Sequence, residues 1–287
     1  MRVGVVGLIP SDLTQVDAGA IAHVRSLGFQ GVSVVVGQPG TVGPAVLRRV
    51  SQTVVDGGLT VAQINGQYPS LVSADPALRR AGIAGLVAHM ASARFLHAET
   101  LYVRPGGLNP GGPWWPHPAH HGQEAFDRLV ESLRAVARAA EGEGVTLALE
   151  AHAVSVLDTP ERYGAAVRAV GSPALRVNLD PVNLIGSIWD AWRPQPVFDR
   201  LLGQTAPHIV SAHWKDYTVE DRHVVHIAEV PLGQGVIDHA RWLGQLHAVQ
   251  PATWVLIEHL PPERIPAAKA ALDLALRQAG LRWDDRR

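Results

Sequence analysis

Eight short apolar runs, each separated from the next by a stretch of helical periodicity, constrain this chain more than any other feature of its sequence. They are VGVVGL from position 3, GVSVVV from 31, TVAQIN from 60, TLYVR from 100, VTLALE from 145, LRVNLD from 175, HIVSAH from 208 and TWVLIE from 253. Runs this short, rich in Val, Ile and Leu and apolar on successive residues, read as strands covered on both faces. The clearest intervening helix spans 122–143, where Phe126, Leu129, Val130, Leu133, Val136, Ala137 and Ala140 recur at helical spacing. Gly28, the Gly57-Gly58 pair, and Gly142 with Gly144 stand where such helices would turn back into strands. Eight repeats of strand then helix predict a closed parallel (β/α)8 barrel, a TIM barrel.

An open doubly wound sheet is the competing architecture. Its phosphate-binding turn would have to lie in VGVVGLIPSD, which contains no G-x-G-x-x-G. Barrels of this kind commonly run to about 250 residues as one unit, so 287 residues without a charge-rich linker predict a single catalytic domain over 1–287. Hydrophobic residues make up 47% and charged residues 18%, which supplies a large core and argues against disorder.

With 25 Lys plus Arg against 26 Asp plus Glu, the formal charge of -1 gives no global attraction to nucleic acid or to an anionic membrane. No run approaches the ~18 apolar residues of a membrane span, and Ser11-Asp12 follows the first apolar run directly, unlike a signal peptide. A cytoplasmic location is expected. Cysteine is absent, which leaves His, Asp and Glu as the ligand types for a metal.

Active sites of such barrels form at the carboxyl ends of the strands. Glu150, Asp180, His213 and Glu258 close the fifth to eighth strands, 30, 33 and 45 residues apart, so only a barrel can gather them. Three carboxylates and an imidazole at one mouth suit a divalent cation; Mn²⁺ is preferred, with Co²⁺, Mg²⁺ and Zn²⁺ as alternatives. A strand-end carboxylate taken alone can equally cap the next helix or pair with an Arg. Three such carboxylates and a histidine in phase point to one site.

LALEAH, RVNLDPVN, SAHWKDY and PLGQGVID, followed by VLIEH, are short motifs that together and in order resemble the xylose isomerase-like barrel superfamily. The resemblance is to its sugar isomerase/epimerase branch, which includes tagatose and psicose epimerases, inosose dehydratases and hydroxypyruvate isomerases. It implies that Glu150, Asp180, His213 and Glu258 hold one divalent metal and that Glu150 and Glu258 move a proton beside a sugar carbonyl through an enediolate. A sugar isomerase or epimerase is expected, on a non-phosphorylated keto sugar or polyol. A lyase (an inosose dehydratase or a keto-glycoside eliminase) shares the same first step, and a non-catalytic sugar binder is the third reading. Homodimers or homotetramers are common in that branch.

The same superfamily contains AP endonucleases that keep His at three further positions. Here Asn65, Arg104 and Asn183 occupy them, and DRH at 221–223, similar to a motif of that branch, stands too far from GQG to match it, so the nuclease is the less favoured reading.

Supporting roles are expected of His152, two residues beyond Glu150 and so on the same side of the strand. It would bind substrate or orient a carboxylate. Lys215 would orient substrate oxygens or pair with Asp216 or Asp180, and Arg104 would bind substrate or pair with Glu150. Asn183 is a further substrate-binding candidate. The long Gly/Pro-rich segment 104–122 carries Trp114, Trp115, His117, His120 and His121, and Trp189 and Trp192 follow in 183–194. Trp114 and Trp115 are expected to wall the substrate or to bury a subunit contact. The three histidines lack strand-end support, and no second metal is expected there. PLGQG at 231–235 could offer backbone N–H groups to an anion or simply turn the chain into a helix starting near Asp238.

Overall fold

A computed structural model of the protein describes residues 1–284; the last three residues of the expected domain span fall outside it. Eight parallel strands close into a barrel: β1 (Arg2–Val5), β2 (Gly31–Val35), β3 (Thr60–Asn65), β4 (Thr100–Val103), β5 (Leu147–Leu149), β6 (Leu175–Leu179), β7 (Ile209–Trp214) and β10 (Trp254–Ile257). The ring runs β1-β10-β7-β6-β5-β4-β3-β2, with β1 pairing both β10 and β2. All eight predicted runs are strands, and the closed parallel barrel is the expected fold. The sequence reading did not anticipate an antiparallel hairpin of β8 (Asp216–Val219) and β9 (Ile227–Val230) between β7 and its helix.

The helix predicted over 122–143 is α4 (Gln123–Glu143), one of nine in the described residues. Its buried stripe, including Leu129, Leu133, Val136 and Ala140, seals against the barrel wall. Gly144 ends it at φ 66° with its N–H returned to the carbonyls of Ala140 and Glu141, a left-handed turn that a side chain resists.

The bottom of the barrel is filled by bulk drawn from β10. Trp254 and Leu256 project inward over Ala62, with Val6 packed against them. They fit because the facing strands carry no side chain at the contact: a Cβ on Gly31 would lie 2.6 Å from the Trp254 ring and one on Gly4 2.6 Å from Leu256. The Trp254 indole N–H donates to Glu99 at 2.9 Å, under the Arg2 guanidinium. Apolar packing therefore ends partway up the barrel. Above it the interior turns polar, with Gln63, Asn178 and Ser211 fully buried, and this layer supports the mouth.

Candidate metal centre

The four strand-end residues predicted to meet do meet. Glu150, Asp180 and Glu258 stand one residue beyond β5, β6 and β10, while His213 is the penultimate residue of β7. One ligand atom from each lies within 4.8 Å of the others, and all four residues are buried. Glu150, His213 and Glu258 line a cavity of about 840 Å³ together with Gln63, Tyr102, Arg104, Trp114, His152 and Lys215, and the Asp180 side chain is fully buried beside them.

Hydrogen bonds beneath the ligands fix their orientation from one end to the other. Tyr102 donates its hydroxyl to Glu150 Oε2 at 2.5 Å, and Asn178 donates its amide to Glu150 Oε1 at 2.8 Å. The Asn178 oxygen then accepts from Ser211 at 2.5 Å and from Gln63 at 3.2 Å. With its NH₂ so used, Gln63 presents its oxygen to His213 Nε2 at 2.9 Å, which makes Nε2 the protonated nitrogen. His213 Nδ1 is left facing Glu150 Oε1 at 2.8 Å and Glu258 Oε2 at 2.9 Å. A backing carbonyl that sets the imidazole's tautomer and aim is the arrangement metal-binding histidines use.

Two atoms of the group show what is wanted between them. Asp180 Oδ2 and His213 Nδ1 are fully buried yet make no hydrogen bond of acceptable angle, although Lys215 Nζ lies 2.9 Å from the first and the two glutamates flank the second. Electrostatics point the same way. Burial pushes Asp180 up to about 7, with Lys215 pulling against it and Glu150 and Glu258 adding to it. Burial would depress His213, but Glu258 and Glu150 outweigh it and raise the imidazole to about 10. Burial would likewise raise Glu258, yet His213 and Lys215 hold it below the usual carboxylate range. The pocket thus demands positive charge at Nδ1, which a proton or a cation can supply. The donor set and its orphaned atoms fit a divalent ion.

Gln63 escaped the sequence reading, as did Tyr102, Asn178 and Ser211. A signal existed: Asn178 and Ser211 stand two residues before Asp180 and His213, on the same face of their strands. Replacing Gln63 by Met leaves His213 Nε2 without its acceptor at nearly unchanged volume. Divalent-ion affinity is expected to fall by about 10–100-fold, measured by calorimetric titration.

The remaining expectations divide. Lys215 Nζ forms ion pairs with Asp180 Oδ2 at 2.9 Å and Glu258 Oε1 at 2.8 Å and donates a hydrogen bond to Asn183 Oδ1 at 3.1 Å, so its pairing is with Asp180 and not with Asp216. Asn183 lines the cavity, and its N–H donates to Asp180 Oδ1 at 3.1 Å, which caps the short turn after β6. His152 also lines it, its Nδ1 accepting from Val154 N at 3.1 Å and its ring against Trp114 at 5.5 Å between centroids. Burial, with Lys215 assisting, lowers His152 to about 4, so it is a neutral hydrogen-bonding group at neutral pH. Arg104 lines the cavity but does not pair with Glu150; its guanidinium turns to Gly66 and Asn65.

Trp115 corrects the expectation of a two-tryptophan wall. It is 59% exposed and off the cavity, because the loop delivers only Trp114 inward. Trp189 and Trp192 pack edge to face with each other at 5.7 Å and are 67% and 61% exposed, so they are not core and do not line the cavity. His120 is wholly buried and pins the 104–122 loop, accepting from Leu108 N at 2.7 Å while Nδ1 meets Val154 O at 2.7 Å. His121 pairs with Asp158 instead, so the histidines of this loop are divided between separate structural roles.

The N–H groups of PLGQG do meet an anion, and it is a side chain of this protein. Asp216 Oδ2 accepts from Gly233 N at 3.0 Å, Gly235 N at 2.9 Å and His239 Nε2 at 3.1 Å. The segment then turns into α8 (His239–Val249), capped by Asp238. His259 is a further feature invisible in the sequence: at φ 57° it turns back over the mouth and meets Glu229 of β9 at 3.1 Å.

With four convergent ligands on a closed eight-strand barrel, the family can be read directly. Residues 21–278 match the family model of the xylose isomerase-like TIM barrel. The chain belongs to that family. Solved structures of similar fold include a D-tagatose 3-epimerase-like protein, with a TM-score of 0.75 at 17% identity over 98% of each chain. A xylose isomerase-like TIM barrel protein from Mycobacterium smegmatis in complex with magnesium has a TM-score of 0.72 at 17% identity, over 96% of this chain and 95% of that one. An L-ribulose 3-epimerase has a TM-score of 0.71 at 21% identity, over 100% of this chain and 99% of that one. No curated protein matches the sequence. In this xylose isomerase-like barrel no helix among the described residues is long and apolar enough to cross a membrane.

Proposed function

We propose that this protein is a divalent-metal-dependent sugar isomerase or epimerase, a single catalytic unit acting on a small keto sugar or polyol in the cavity above Glu150, Asp180, His213 and Glu258. The observation that carries the reading is the convergence of these four buried ligands, from four strands, under a cavity large enough for a sugar. Epimerase names among the similar structures agree with it. A divalent ion held there would supply Lewis acidity to a carbonyl and its neighbouring hydroxyl.

The chain's own residues do the rest. Glu150 and Glu258 reach the site from different strands and flank His213 Nδ1 at 2.8 and 2.9 Å; in the proposed reaction one removes the proton from the substrate carbon and the other returns one. His213 and Lys215 keep Glu258 ionised as a base, and Tyr102, raised well above its usual range by burial and by Glu150, remains a hydrogen-bond donor to Glu150. Trp114 and His152 pack together as one wall of the cavity that would hold the substrate.

The test incubates the protein in D₂O with keto sugars and inososes, once with Mn²⁺ added and once after chelation, and follows deuterium in the products by mass spectrometry. Exchange that requires the ion, in a product of otherwise unchanged mass, is the expected result. Loss of water or of an aglycone would assign the lyase outcome instead. Undiminished exchange after chelation would remove the metal from the reaction.

A further inference from the structure

We infer that Arg104 is the anion-recognition residue of the cavity, and that the substrate carries a carboxylate remote from its reacting carbonyl; the second clause rests on the function proposed above. The inference comes from how charge is distributed around the cavity. Glu150 and Glu258 face His213, Lys215 bridges Asp180 and Glu258, and Glu229 faces His259. With a divalent ion among the four ligands, that ion and Lys215 would balance the three carboxylates, and Glu229 is turned to His259 at 3.1 Å, away from Arg104. Arg104 has no carboxylate within 4.0 Å among the described residues, so its charge is left over on the cavity wall.

The side chain is held ready for a ligand. Arg104 Nη1 donates to Gly66 O at 2.9 Å and more weakly to Asn65 Oδ1 at 3.4 Å, and the guanidinium lies over the Tyr68 ring at 4.5 Å. Tyr68 is locked in turn, its hydroxyl donating to Arg104 O at 3.0 Å and accepting from Arg104 N at 2.7 Å. Nε and Nη2 have no acceptor among the described residues. A half-buried guanidinium fixed by one nitrogen, with its remaining N–H groups unspent, matches the planar two-point geometry of a carboxylate. A phosphate dianion asks for more donors than this wall has, because Lys215 is already fully engaged.

Binding is measured calorimetrically on the Mn²⁺-loaded protein, the state in which the surplus charge arises, with a hexonate and the matching hexitol as probes, and the Arg104 variants separate the wall's contribution from that of the ion. The wild-type protein is expected to prefer the hexonate by at least about tenfold, as a charge-assisted two-point contact would give. Arg104→Gln should abolish the preference and Arg104→Lys should keep part of it, with thermal midpoints confirming that both fold. Equal binding of the two probes, or a preference that survives Arg104→Gln, overturns the inference. Turnover with Mn²⁺ then separates it from the proposed function: a terminal keto sugar acid should surpass the neutral ketose in kcat/KM, and Arg104→Gln should erase that advantage mainly through KM. If no keto compound exchanges deuterium but the Arg104-dependent hexonate preference stands, the carbonyl chemistry fails and the anion site survives. If neutral ketoses exchange as well as keto acids in both proteins, the anion site fails and the chemistry survives.

Discussion

Glu258→Gln is expected to lower turnover by about 10²–10⁴-fold, the span associated with losing a positioned acid or base. The variant keeps the volume and an oxygen able to face a cation but loses the basic carboxylate. Glu258 is buried and in direct contact with His213 Nδ1 at 2.9 Å and Lys215 Nζ at 2.8 Å, so its charge is central to the site. Divalent-ion affinity should therefore fall while staying measurable, since Glu150, Asp180 and His213 remain. Steady-state kinetics on the substrate found by deuterium exchange, beside a calorimetric ion titration and a thermal midpoint, separate the three effects. A kcat within tenfold of wild type in a folded, ion-loaded variant would show that Glu258 is a ligand and not a base.

The largest effect on stability is expected at Asp216, which touches neither cavity nor ligand set. Its carboxylate is almost wholly buried, and beyond the three bonds made by Oδ2, its Oδ1 accepts from Tyr217 N at 2.9 Å and Ile237 N at 3.4 Å. Asp216→Ala would strand several buried donors at once, each worth about 1–3 kcal/mol when unsatisfied. Partial entry of water limits the sum, and about 3–5 kcal/mol is expected, as for breaking other buried charge networks. Urea denaturation followed by tryptophan fluorescence reads this directly. A loss below about 1 kcal/mol would mean that the PLGQG segment is held by something other than this carboxylate. Closeness of packing supports the larger figure, because a Cβ on Gly235 would lie 2.1 Å from Asp216 Oδ1.

What can be read along the chain is local and periodic. Strands of a two-faced sheet are apolar at successive positions and helices are not, so eight units are countable, and the residue closing each later strand is nameable from the order of residues alone. Glu150, Asp180, His213 and Glu258 emerge in that way, since barrel closure converts strand-end position into spatial proximity. Asn178 and Ser211 lie within reach of the same periodic argument, being two residues below ligands, but a polar residue in a buried strand can as well bond a neighbouring backbone or a water as support a site. The hairpin of β8 and β9 stays hidden because TVEDRHVV has weak alternation and reads as a loop.

Pairing between residues far apart in sequence is another matter. Nothing near Lys215 says whether it meets Asp216, its neighbour, or Asp180, thirty-five positions earlier; strand geometry sends adjacent side chains to opposite faces, and so separates Lys215 from Asp216. Trp114 and Trp115 are likewise adjacent and chemically alike, yet only Trp114 enters the cavity.

The sequence by itself determined the barrel and the residues that top its strands, because both follow from the order of apolar and polar positions along the chain. Only the tertiary structure decided which charge meets which, that Gln63 aims His213, and that Arg104 stands without a carboxylate. The physical reason is that charge balance and hydrogen-bond direction belong to three-dimensional neighbourhoods, which many different sequence separations can produce.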